Sequence, residues 1–133
     1  MPNPMPDDEA LVTSYLRTQV PNNVNVDTSW PVAYDGTQTF VLVERVGGPM
    51  DFTARQTWMD RPLIQVSAGA AYKSAAKDLA IAVRAAMPLM YAAYTAGPVV
   101  ANVEELVGPL WLPDTKYAPA GRYLIQYQLS IHN

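Results

Sequence analysis

TFVLVERVGGPMDFTARQTWMDRPLIQVSAGA, residues 39–70, is the stretch on which the fold turns. Its opening, TFVLVERV, is β-branched and apolar with charge only near its end, the composition of a strand. Its close, RPLIQVSAGA, reads as the partner strand. Between them stand two glycines, a proline, a tryptophan and several charges. Gly47-Gly48 lets the chain leave the first strand, and residues 49–60 read as a projecting loop that meets another protein. Met50, Phe52 and Trp58 are the apolar anchors of that loop, and Arg55, Asp60 and Arg61 can fix register by charge. The alternative is that Trp58 folds back over the core.

Outward from this pair, the chain alternates helix and strand signals. The first six residues, MPNPMP, hold three prolines and form an arm outside helix or ladder. Asp7 or Asp8 caps a helix whose Leu11, Val12, Tyr15 and Leu16 share one face, and Pro21 ends it. Val24 and Val26 alternate with polar neighbours in a short strand, followed by the turn-rich WPVAYDGTQ. A second helix starts near Tyr72, with Ala76, Leu79, Ala80, Val83 and Met87 as its buried stripe. Lys73, Lys77, Asp78 and Arg84 lie around its polar side, and Pro88 ends or kinks it. After the break at Gly97-Pro98, VVANVEELV and RYLIQYQLSIH read as strands, with GPLWLPDTKYAPAG between them as a loop. Tyr123, Ile125, Tyr127, Leu129 and Ile131 fall on one face of the last strand. The expected fold is α+β: one mixed sheet of about five strands with two helices packed on one face. Residues 1–133 read as a single domain carrying the arm 1–6.

Composition limits the chemistry. Half of the 133 residues are hydrophobic, and the formal charge is −3, which argues against a surface made to neutralise phosphates. The absence of cysteine removes disulfides, thiol nucleophiles and thiolate metal sites. No apolar run reaches the roughly 20 residues of a membrane helix, and the N-terminus lacks a signal-peptide pattern. His132 is the lone histidine, without partners for a triad or a histidine metal cluster. Glu104 and Glu105 are neighbours on a strand and point to opposite faces, so they do not converge on a substrate. Gly47-Gly48-Pro49 lacks the Lys-Ser/Thr continuation of a phosphate loop and reads as a turn. The Tyr123/Tyr127 face, without surrounding cations, reads as core or subunit contact rather than a base-stacking platform. The expectation is no enzyme, no cofactor and no metal.

Several phrases in order are distinctive: VLVERVGG, DRPLIQVSAGA, the helical AAKDLAIAVRAA, VGPLWLPD and the terminal RYLIQYQLSIH. Together, from about Glu9 to His132, they resemble the tail terminator proteins of long, non-contractile-tailed bacteriophages, particularly those of actinobacterial hosts. The resemblance implies a small α/β domain that forms a ring, usually of six subunits, at the head-proximal end of the tail tube. Its implied partners are other copies of itself, the major tail tube protein and the head–tail connector or stopper. DNA passes through only as cargo, and an acidic ring suits such transit. The implied location is the neck end of the virion tail, with assembly in the host cytoplasm and no membrane. The arm and the segment 88–97 exceed what the pattern requires. Two other classes remain in view: another neck adaptor or connector protein, and a cytoplasmic ligand- or peptide-binding domain using the aromatic face of the last strand.

Overall fold

A computed structural model of the chain describes residues 7–48, 50–52, 58–92 and 99–132; at Met50, Asp51, Phe52, Trp58 and His132 it describes the backbone alone. The elements in order are α1 (Asp8–Gln19), β1 (Asn25–Asp27), β2 (Phe40–Gly47), β3 (Met50–Phe52), β4 (Trp58–Asp60) and β5 (Leu63–Ala70). Then follow α2 (Lys73–Ala86), a 3-10 turn (Met87–Ala92), β6 (Val99–Pro113) and β7 (Gly121–His132).

The apolar ends of residues 39–70 pair as their composition predicts: β2 and β5 are antiparallel, with Val43 opposite Val66 and Phe40 opposite Gly69. Residues 50–52 and 58–60 are strand, which corrects the loop expectation at those positions; 49 and 53–57 lie outside the described residues. Met50 pairs with Asp60 and Phe52 with Trp58, in the register that already sets Gly47 opposite Leu63. One long hairpin therefore runs through the whole stretch, with residues 53–57, outside the described set, between β3 and β4. The break at Gly48 and Arg61–Pro62 has two local causes. Pro62 has no N–H to give a ladder. Gly48 sits at φ +105°, and a Cβ there would lie 2.1 Å from the Arg61 carbonyl oxygen.

The same economy holds toward β7. Asp60 pairs with Ile131 and Leu63 with Gln128, a single register, and Leu129 N–H donates to the Pro62 carbonyl at 3.1 Å between them. β4 and β5 thus act as one central strand, and β2 and β3 as its neighbour. The sheet is five strands deep: β1, β2 with β3, β5 with β4, β7, then β6. It is mixed, because β1 runs parallel to β2 while the other pairings are antiparallel.

Alternation sorts the side chains into two faces. Val41, Val43, Ile64, Val66, Ala68, Ile125, Tyr127, Leu129 and Ile131 form the face under the helices, all buried. α1 contributes Val12 and Leu16, with Leu11 and Tyr15 packed beside them. Asp7 is its N-cap, accepting from Ala10 N–H at 3.0 Å. α2 contributes Ala76, Leu79, Ala80 and Val83, followed by Met87 in the 3-10 turn, the stripe its spacing predicts. The helix gives way at Met87–Pro88, since a proline ring cannot continue the α ladder. The Tyr15 hydroxyl donates to the Ala86 carbonyl at 2.7 Å, joining the two helices.

A second correction concerns GPLWLP, expected as loop. β6 extends through Pro113, with Leu110 opposite Leu124, Trp111 opposite Tyr123 and Leu112 opposite Arg122. The prolines survive because, among the described residues, β6 borders one strand only, and an irregularity between Val107 and Leu110 takes up Gly108-Pro109.

Candidate assembly surfaces

Three surfaces emerge from this framework. The first is the far end of the long hairpin. Its base is fixed by Arg45, at the end of β2. The Arg45 guanidinium holds Asp60 through both oxygens, Nη1 to Oδ2 at 2.6 Å and Nη2 to Oδ1 at 2.9 Å. Nη1 also reaches Asp8 in the first turn of α1, and Nε and Nη2 donate to the carbonyls of Gly47 and Gly48. The bidentate arrangement is the strong form of this pair. It explains why an aspartate stands on a strand's buried face: Asp60 has no exposed surface, and its charge is answered across the hairpin. Burial pushes the Asp8 carboxyl up from its usual range, against the pull of Arg45.

The residues singled out on residues 39–70 are therefore divided. Met50, Phe52 and Trp58 are brought together by backbone pairing in the β3–β4 ladder. Arg55 lies outside the described residues. Arg61 is exposed at the break between β4 and β5. Asp60 corrects the docking reading: wholly buried, it positions the hairpin rather than meeting a neighbour.

The second surface is the sheet's edges, which are unequal. On the β1–β2 side, α1 supplies side chains to the outward backbone groups. Glu9 Oε2 accepts from Arg45 N–H at 3.2 Å, and Arg17 Nε donates to the Val26 carbonyl at 3.1 Å. On the opposite side, among the described residues β6 pairs with β7 alone, and it carries exposed Val99, Leu106, Val107 and Leu110. Glu104 and Glu105 separate as alternation requires: Glu105 binds Arg84 of α2 at 2.7 and 2.9 Å, and Glu104 is exposed. An unpaired edge of this length is a template for another chain, although its irregularities shorten the straight stretches on offer.

The third surface had no part in the sequence reading. On the face away from the helices, Trp30 and Tyr34 from residues 28–39 gather on Phe40, with ring centroids 5.0 and 5.5 Å from it. Tyr117 stands 5.7 Å from Tyr34, and the Arg122 guanidinium lies over Trp30 at 5.1 Å. Phe40 in turn lies against Gly69, where a Cβ would come within 2.3 Å of the ring. Asp114 accepts from Lys116 and Tyr117 N–H at 2.8 and 2.9 Å, fixing the β6–β7 turn. Trp30, Tyr34, Phe40, Asp114 and Arg122, with Leu112, line an open pocket of about 240 Å³. The signal in the sequence was Trp30 and Tyr34 four residues apart inside a turn, where aromatics have no core strand or helix to join.

The remaining singled-out residues are placed in the framework. His132 pairs through its backbone with Met59 and Val99. Tyr127 is buried, which raises its hydroxyl pKa, and Tyr123 packs at the core margin. Among the described residues no group of three His, Asp or Glu converges to hold a metal, and no helix is long and apolar enough to cross a membrane.

A small α+β domain whose Arg45 ties β2 to Asp60 of β4, and in which β6 among the described residues has a strand on one side only, has the form of a component in a larger assembly. The chain belongs to the family of phage tail termination proteins, whose model matches residues 4–117. It is thus a bacteriophage tail protein, whose work is contact with other tail and head–tail proteins. A comparison with curated proteins finds no match.

Proposed function

We propose that this chain forms a ring, of six copies, that closes the head-proximal end of a non-contractile tail tube. The ring stops addition of further tube subunits and offers its other face to the connector of the filled head. The observation that carries this reading is the family match across residues 4–117. Two structural features support it. A ring needs two different surfaces to meet around it; one sheet edge takes hydrogen bonds from Glu9 and Arg17 of α1, and among the described residues the other, at β6, has no further strand beside it. A cap also needs a rigid projection that docks on the tube without recruiting another tube subunit. The β3–β4 hairpin, anchored by Arg45, has that form, with Met50, Phe52 and Trp58 as anchors and Arg55 and Arg61 as charges at the contact. The whole of 1–133 serves as one domain in this assembly, in the virion neck and built in the host cytoplasm.

Complementation of a terminator-deficient phage tests the reading. The chain restores tails of uniform length joined to heads; tails of irregular length in its presence contradict it.

A further inference from the structure

We propose that the aromatic pocket formed by Trp30, Tyr34, Phe40, Leu112 and Arg122 receives the proline-bearing arm, residues 1–6, of a second copy of this chain. The inference rests on the reading that the protein works as an assembly of copies, and it names one contact between them.

The pocket has the chemistry for such a guest. Its rings pack edge to face, at 61° between Trp30 and Tyr34 and 82° between Tyr34 and Phe40, and they line the open space beside them. Trp30 is 45 % exposed although it touches two other rings and a guanidinium, an apolar surface left partly uncovered. Aromatic-lined grooves of this kind take proline-rich extended chain, whose rings lie flat on aromatic faces and whose carbonyls are free for donors. Arg122 is the donor at this site. The pocket is held open by ordered backbone on both sides. Asp114 ties one turn, while Asp35, accepting from Thr37 N–H at 3.0 Å, and Gln38, donating to the Ala33 carbonyl at 3.1 Å, tie the other.

The arm has the matching chemistry. In MPNPMP every residue is a proline or precedes one; proline fixes its own φ, and the residue before it is biased toward extended backbone. Such a segment has little conformational entropy to lose on docking. It contains no charged side chain, so it suits a pocket whose Arg122 is stacked on Trp30 and whose Asp114 is occupied by backbone N–H groups.

Reach assigns the arm to a neighbour. The arm joins α1 at Asp7, and the first turn of α1 is bound to Arg45 on the helix face. The pocket is at the other end of β2, at Phe40, on the opposite face. Five residues separate Arg45 from Phe40, about 17 Å of strand. Pro2 is five residues from Asp7 and reaches at most about 17 Å even when fully extended. That length is consumed along the strand with nothing left to round the sheet edge, and Pro4 and Pro6 reach less. A second copy is under no such limit.

The test uses the full chain. A synthetic peptide MPNPMP is titrated into isotope-labelled protein while the Trp30 indole and the Gly121 and Arg122 amides are followed. Self-association is measured by sedimentation of the parent, of a Pro2→Ala/Pro4→Ala/Pro6→Ala variant and of Trp30→Ala. The arm variant leaves the folded domain untouched, so a folding defect does not confuse it. Expected are saturable shifts at those three positions, lost in Trp30→Ala, and self-association weakened about tenfold or more in both variants, with little dependence on salt. Shifts elsewhere, no shifts, or an arm variant that associates like the parent overturns the proposal. A parent that caps tail tubes while its pocket ignores the peptide overturns this inference alone. A parent whose pocket binds the peptide but which never caps overturns the terminator reading alone.

Discussion

Arg45 and Asp60 face each other across the base of one long hairpin, joined through both carboxylate oxygens at 2.6 and 2.9 Å. Asp60 is wholly buried, and Asp8, which shares the same guanidinium, is nearly so. Arg45→Met would leave two carboxylates together without a cation. Removing one partner of a buried pair typically costs about 3–5 kcal/mol, and that loss is expected in chemical denaturation of this variant. Adding Asp60→Asn to it restores a large part. Unchanged stability in Arg45→Met would show that the pair does not anchor the hairpin.

Leu79 lies in the buried stripe of α2 against the sheet. Leu79→Ala is expected to cost about 2–5 kcal/mol, by lost burial plus the cavity left behind. A thermal transition equal to the parent's would place this side chain outside the core.

The aromatic pocket should respond to acid. Hydrogen bonds from the Tyr117 and Lys116 backbone hold the Asp114 carboxyl below its usual 3.8, and Thr37 does the same for Asp35. A depressed folded pKa gives stabilisation that is present above 3.8 and lost as pH falls through the folded value. Asp8 runs the other way: burial raises it, so its contribution is present at low pH and fades as pH rises through its folded value. Protection of the Lys116 and Tyr117 amides, measured against the intrinsic exchange rate at each pH, is therefore expected to fall as pH drops through the lowered Asp114 value while the core strands stay protected. Asp114→Ala, which removes the acceptor, should show the weaker protection already at neutral pH. Equal exchange in the two proteins would mean that Asp114 does not order this turn.

Arg55 falls in sequence between β3 and β4, outside the described residues, and the proposed function gives it a contact with the tube. Exposed charges commonly change monomer stability by about 0.5 kcal/mol or less, whereas truncating one member of a desolvated interfacial pair costs about 2–5 kcal/mol of binding. Arg55→Glu is expected to melt like the parent and to give tails of irregular length in complementation. Normal melting with normal tails would remove Arg55 from the interface; collapsed melting would make it part of the fold.

Much of this architecture was legible because hydrophobic periodicity reports burial on one face. The stripe of α2, the alternation of β7 and the pairing of TFVLVERV with RPLIQVSAGA all declared themselves in this way. The family resemblance also read correctly from ordered phrases spread over the chain. What escaped were strands whose reasons for existing lie in their neighbours. Residues 50–52 and 58–60 continue a register set by β2 and β5, and no apolar alternation marks them. GPLWLP pairs with β7 despite its prolines because an edge strand needs only one ladder. Asp60 looked like a surface charge because its partner, Arg45, is fifteen residues away in sequence and directly across in space. Trp30 and Tyr34 stood in a turn, and only the fold shows that Phe40, Tyr117 and Arg122 gather on them.

The most direct measurement of the central claim is negative-stain microscopy of the purified protein mixed with tail tubes. A cap on one end of each tube, with the sides bare and further growth stopped, is the result expected of a terminator ring. Decoration along the tube, or bare ends at every protein concentration, would contradict it.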